Sequence, residues 1–167
     1  MAKKIPLFIV GAFVLAVICL LLFNVFEVRI GKEIPLLRDV AFGQKPAQIT
    51  RQLGDVIEFQ DDIGDTGKTV YTYKTEVLGC DATVSCFFWK DRRLTELVIR
   101  LHESDDDLYD RVYACIRDHY SKHEDFFTKE LQNPDRITIG IDDGTAGIFY
   151  SIQRTDEFIS IQCTELD

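Results

Sequence analysis

Charged side chains are absent from one long stretch of this sequence, Ile5–Phe26. A helix needs about 20 apolar residues to cross a bilayer core, and a charge at its centre costs about 3 kcal/mol. The stretch therefore predicts a transmembrane helix. Small residues are also lacking where signal peptidase would cut after it, and the apolar run is longer than that of a cleaved signal. These absences favour a retained anchor.

The orientation of the anchor follows from its flanks. Lys3 and Lys4 precede the apolar run, whereas Arg29 and Lys32 follow it. The positive-inside tendency then favours a cytoplasmic amino terminus by a small margin. We therefore expect a single-pass protein of the cell membrane with an extracytoplasmic domain. The predicted divisions are a tail at 1–4, the anchor at 5–26, a juxtamembrane connector at 27–41 and a domain at 42–167.

Positive charge is also scarce, because the sequence has 19 Lys and Arg residues but 28 Asp and Glu residues. This balance repels phosphate backbones and argues against nucleic acid as a partner. No Ser-, Pro- or Gly-rich linker divides the residues beyond the anchor, which predicts one domain.

Hydrophobic periodicity predicts two helices and two groups of strands. Pro46 suits the first turn of a helix at Lys45–Gly54, and Gly54 is a natural stop. Ser104 is the predicted N-cap of a second helix that runs to about His123. The predicted strands are Val56–Phe59, Val70–Leu78, Thr83–Trp89, Leu94–Leu101, Ile137–Ile141, Ala146–Gln153 and Phe158–Cys163. We expect an α+β fold in which helices pack on one face of an antiparallel sheet, in the order helix, strands, helix, strands.

The second helix carries the residues most typical of a metal site. Cys115, His119 and His123 are spaced i, i+4, i+8, which places a thiol and two imidazoles along one helical face. The same face must pack on the core, so a buried cysteine and two histidines near a helix C-terminus explain the pattern without a metal, and this second interpretation is favoured. The first interpretation predicts a metal-dependent enzyme, and the second predicts no cofactor.

Cysteine usage is compatible with an oxidising compartment. Without Cys19, which lies in the predicted anchor, an even set of Cys80, Cys86, Cys115 and Cys163 remains. One interpretation pairs Cys80 with Cys86 across a hairpin and Cys115 with Cys163 between helix and sheet. The alternative is four small buried side chains with free thiols.

Aromatic side chains on neighbouring strands provide a candidate binding patch. Tyr71 and Tyr73 share one face of their strand, and Phe87 and Trp89 share a face of the next. If these faces look away from the helices, the four rings form a surface of the kind that binds partner proteins. The alternative is an ordinary core cluster.

The segment Phe42–Val56, together with Tyr71, Tyr73, Phe88 and Leu94, resembles the opening of the small barrel-assembly lipoprotein family (SmpA/OmlA). Gly43, Ile49, Leu53 and Gly54 match that family's helix, which ends in Leu-Gly before a meander. The tandem β-lactamase-inhibitor proteins are similar in using such a unit twice. The resemblance covers residues 42–101, and it implies an envelope domain that binds proteins and has no catalytic residues.

These observations predict a membrane-anchored binding or scaffolding domain that engages a protein partner in the cell envelope. Two alternatives remain open. One is a small-ligand sensor with a pocket between helix and sheet, and the other is a metal-dependent envelope enzyme that uses the cysteine and histidines of the second helix.

Overall fold

The computed structural model describes residues 32–89, 93–122, 127–133, 136–142 and 147–166. The chain divides into two compact units, Met1–Glu33 and Ile34–Asp167. The second unit contains all the helices and strands described below. Residues 34–41, which the sequence assigned to a connector, are part of this unit, and Ile34 and Val40 lie in its core.

One antiparallel sheet of eight strands dominates the second unit, in the order β1-β2-β3-β4-β8-β7-β6-β5. The strands are β1 (Val56–Gln60), β2 (Thr69–Val77), β3 (Cys80–Phe88), β4 (Leu94–Leu101), β5 (Phe127–Asn133), β6 (Arg136–Asp142), β7 (Gly147–Arg154) and β8 (Ile159–Leu166). Helix α1 (Pro46–Leu53) precedes the first four strands, and helix α2 (Asp106–Tyr120) precedes the last four. The pairing of β4 with β8 joins these two groups into one sheet.

Helix α1 forms where the sequence predicts it. Pro46 occupies its first turn, and the Gln48 side chain accepts a hydrogen bond from the backbone N–H of Lys45 at 2.9 Å. Gly54 ends the helix with φ 92°, a conformation that glycine adopts without a Cβ penalty. The buried Ile49 side chain directs the helix onto the sheet.

Helix α2 begins one residue later than predicted. Asp105 is its N-cap, because the Asp105 carboxylate accepts a hydrogen bond from the N–H of Leu108 at 2.7 Å. The predicted cap, Ser104, donates its hydroxyl proton to the carbonyl of Thr155 instead. Ser104 therefore holds the start of α2 against the turn that precedes β8.

The tight turn between β2 and β3 decides which residues of β3 face the core. Leu78 and Gly79 have φ values of 54° and 84°, as a two-residue type I′ turn requires, and Val77 pairs directly with Cys80. Cys80 therefore begins β3, three residues before the predicted start of this strand at Thr83.

A single hydrophobic core lies between the helices and one face of the sheet. Helix α1 contacts this face through the Thr50 and Tyr73 hydroxyl oxygens, which lie 3.1 Å apart, and α2 contacts it through Tyr120 and Tyr150. The core residues contributed by α2 include Leu108, Val112 and Ile116, and those of the sheet include Val84, Phe88, Leu97, Ile99, Leu101, Ile152, Ile159 and Ile161.

The predicted α+β class is wrong, because the fold is mainly β. The two described α-helices have 8 and 15 residues, whereas the sheet has eight strands. Strand β5 was not predicted, because Phe127–Asn133 is a mostly polar segment with little β-branched character.

The membrane part of the prediction is corrected as well. Among the residues described, no helix is long and apolar enough to cross a membrane. This finding goes against the predicted single-pass anchor, and with it the assignment to the cell membrane with an extracytoplasmic domain. The predicted span itself, residues 5–26, lies outside the described residues.

Candidate functional site

The face of the sheet opposite the core is the principal candidate surface. Side chains alternate along a strand, so the neighbours of core residues point to the other side. On β4, Leu97 and Ile99 are fully buried in the core, which places Glu96 and Val98 on the opposite face. The contacts of α1 and α2 described above are all with the core face.

Four aromatic side chains lie on this opposite face, and we call them the aromatic face: Phe87, Trp89, Phe149 and Phe158. Trp89 is 42% exposed, and the three phenylalanines are half-buried. Phe87 and Phe149 belong to one cross-strand row in which Glu96 and Thr164 lie between them. Three strand spacings separate Phe87 from Phe149, a distance of about 14 Å.

A polar cluster fixes the side chains beside Phe87. The Lys68 ammonium donates a hydrogen bond to Glu96 Oε2 at 3.1 Å, and the Gln162 amide donates to Glu96 Oε1 at 2.9 Å. Lys68 Nζ also lies 5.4 Å from the centre of the Trp89 ring, within reach of a cation–π interaction. The Glu96 side chain is only 17% exposed, so the ion pair is sheltered among the surrounding side chains.

A second cation–π contact lies further along the same face. The Arg100 guanidinium stands 4.6 Å from the centre of the Phe158 ring. Arg100 pairs with Thr83 on one side and with Ser160 on the other. The aromatic face therefore combines apolar rings with charged and hydroxyl groups, a mixture typical of protein interfaces.

The structure separates the four aromatic residues that the sequence grouped together. Phe87 and Trp89 share the aromatic face, whereas Tyr73 is fully buried in the core. Tyr71 is half-buried on the core side, where its ring meets Phe88 edge-on at 5.4 Å. The register explains the division, because Tyr71 pairs with a core cysteine, Cys86, and not with Phe87.

Several residues of the surface were missed by sequence reasoning. Phe149 could have been found, because it alternates with Ile148 and Tyr150 in a predicted strand. Glu96 and Gln162 could not, because they meet only through the pairing of β4 with β8, which joins residues 66 positions apart. No local sequence signal specifies that pairing.

The residues of α2 that were predicted as possible metal ligands contact other groups of the protein. The Cys115 thiol lies 3.6 Å from the carbonyl oxygen of Pro35, and the His119 ring packs edge-on against Tyr120 at 4.8 Å. His123 lies outside the described residues. Within the described part of the chain, no group of three His, Cys, Asp or Glu residues is placed to hold a metal ion.

All four cysteines outside the predicted anchor are free thiols in the structure. Cys80 and Cys86 lie on the same strand, six residues apart, so their Cα atoms are about 20 Å from each other and too far for a disulfide. Burial raises the pKa of Cys86 to about 12 and also raises that of Cys163. Cys163 lies in the centre of the core, as its alternation with Ile161 predicts.

No protein family, curated protein or solved structure matches this chain. The resemblance of residues 42–101 to the SmpA/OmlA family therefore stays a prediction.

Proposed function

We propose that this chain is a protein-binding domain that holds a partner protein on its aromatic face. The observation that carries the proposal is the position of Phe87, Trp89, Phe149 and Phe158 on the sheet face opposite α1 and α2. The solvated face of an antiparallel sheet is usually polar. Aromatic side chains on it supply the large apolar contacts that anchor protein interfaces.

The dimensions of the sheet support this function. Eight strands of about eight residues span about 34 Å by 26 Å, or roughly 900 Å², and a standard interface buries about 800 Å² on each partner. One face of the sheet is therefore large enough for a stable complex. The aromatic rings supply the affinity, whereas Lys68, Glu96 and Gln162 are held in fixed positions and set the orientation of the partner.

Photo-cross-linking in the source cells tests the proposal with the full chain. A benzophenone amino acid replaces Phe87 or Phe149, and the matched control replaces Asp110, an exposed residue of α2. We expect the same adduct with one other protein from positions 87 and 149, and none from position 110. Trp89→Ala should lower the adduct yield from position 149 by about tenfold or more, as expected for an interface anchor.

Three outcomes would contradict the proposal. If neither position 87 nor position 149 gives an adduct, the aromatic face does not bind a partner protein. An equal adduct from position 110 would show non-specific capture. An adduct of two copies of this chain would assign the face to self-association.

A further inference from the structure

Strand β1 is an edge of the sheet that displays apolar side chains. It pairs with β2 on one side, and no described strand pairs with it on the other. Ile57 is 51% exposed and Phe59 is 53% exposed. An open edge leaves backbone N–H and C=O groups free to pair with another chain.

The usual protections of an edge strand are weak here. Lys and Pro, which block pairing in many proteins, are absent from Asp55–Gln60. A bulge between Val56 and Glu58 interrupts the ladder at one end. Glu58, Phe59 and Gln60 then continue in regular register with β2, so this part of the edge is open to an added strand.

The segment around this edge is negatively charged. From Gln52 to Gly67 the sequence has no Lys or Arg. Five exposed carboxylates lie within that segment: Asp55, Glu58, Asp61, Asp62 and Asp65. Asp61 and Asp62 also accept hydrogen bonds that shape the turn after β1, so their charges are held close to the strand end.

We propose that β1 binds an extended basic segment of a partner protein by β-strand addition. The backbone of the segment would pair with the free edge of β1, its apolar side chains would contact Ile57 and Phe59, and its Lys or Arg side chains would face the carboxylates. A second copy of this chain fits poorly. Antiparallel self-pairing centred on Glu58 sets this carboxylate against itself, and like charges directly opposite each other are destabilising.

The β1 edge lies two strands from Phe87, and strand addition uses the backbone of β1 rather than the aromatic rings, so neither proposal depends on the other. The probe for β1 is a fluorescein-labelled six-residue peptide that alternates lysine and valine, titrated with the full chain and followed by fluorescence anisotropy. Two further peptides are controls: one alternates glutamate and valine, and the other is the lysine–valine peptide with an N-methyl group on every backbone amide. We expect binding of the first peptide only, because it alone has both the charges and the backbone donors.

Matched variants locate the site on the full chain. Glu58→Lys should weaken binding of the lysine–valine peptide by about fivefold or more. Glu157→Lys makes the same charge change at an exposed site before β8, which three strands separate from β1, and should not weaken it. Phe59→Ala should weaken binding without altering charge, whereas Leu166→Ala, at an equally exposed leucine of β8, should not. Circular dichroism checks that each variant is folded.

The proposal is overturned if the two charge variants behave alike, since attraction would then be non-specific. It is also overturned if the N-methylated peptide binds as well as the parent, if the lysine–valine peptide fails to bind at millimolar concentration, or if the chain dimerises through β1. Protection from hydrogen exchange by the lysine–valine peptide, at those amides of Glu58–Gln60 that point away from β2, would support it independently of any variant.

Discussion

The hydroxyl oxygens of Tyr120 and Tyr150 lie 2.8 Å apart, and they share a hydrogen bond across the core. Tyr120 is on α2 and Tyr150 is on β7, and both side chains are almost fully buried. Burial raises the pKa of Tyr150 well above its usual value, so this hydroxyl stays protonated. The bond therefore fixes the helix at one position over the second group of strands.

Replacing Tyr150 with phenylalanine should lower the free energy of unfolding by about 1–2 kcal/mol, because the Tyr120 hydroxyl loses this buried partner. Urea unfolding followed by circular dichroism measures the change. The control is Tyr71→Phe, at a half-buried ring that packs against Phe59 and Phe88, and it should change stability by less than about 0.5 kcal/mol. Equal effects of the two substitutions would contradict the assigned role of the bond.

The N-cap of α2 gives a second test. Asp105→Ala should destabilise the chain by about 1 kcal/mol, because the Leu108 N–H loses its acceptor. Asp105→Asn keeps an acceptor oxygen and should retain most of the stability. Asp110→Ala removes an exposed carboxylate from the same helix and serves as the control in the same urea titrations. If Ser104→Ala lowers the helix content more than Asp105→Ala does, Ser104 and not Asp105 is the N-cap.

Local elements of the fold could be read from the sequence because short-range chemistry specifies them. Pro46 and Gly54 delimit α1, and alternating β-branched and aromatic residues mark β2, β3 and β4. The face of each side chain was harder to predict. The turn at Leu78 and Gly79 sets the register of β3 against β2. A shift of this register by one residue would move every core-facing side chain of β3 to the opposite face.

The candidate surface depended on long-range pairing, which no local pattern encodes. The sequence groups Phe87 and Trp89 because they are two residues apart. It could not place Phe149 or Gln162 beside them, because that requires β8 to pair with β4 rather than with an outer strand. Strand β5 escaped prediction for a related reason, since its pairing with β6, rather than its own composition, defines it as a strand.

The buried thiols predict a loss of stability in alkaline solution. Burial raises the pKa of Cys86 to about 12 and also raises the pKa of Cys163. The pKa of a cysteine in the unfolded chain is about 8.5. The unfolded chain therefore releases protons that the folded chain keeps. The stabilisation is complete below pH of about 8.5 and falls above it, by at most about 1.4 kcal/mol per pH unit for each thiol.

Urea titrations between pH 8 and 10 measure this slope. The double variant Cys86→Ala, Cys163→Ala should show a shallower decline than the parent chain. The comparison concerns the slope, so a lower overall stability of the variant does not affect it. Identical slopes would show that these two thiols are not the groups that hold protons in the folded state.

The fluorescence of Trp89 tests whether the aromatic face is open to a partner. This is the one tryptophan of the chain, and it is 42% exposed beside Lys68. Acrylamide quenching compares the native full chain with the same chain in urea. If the face is open, native Trp89 is readily quenched, and its Stern–Volmer quenching constant is a substantial fraction of the value for the unfolded chain. A native tryptophan that acrylamide scarcely quenches, with the blue-shifted emission of a core residue, would contradict it.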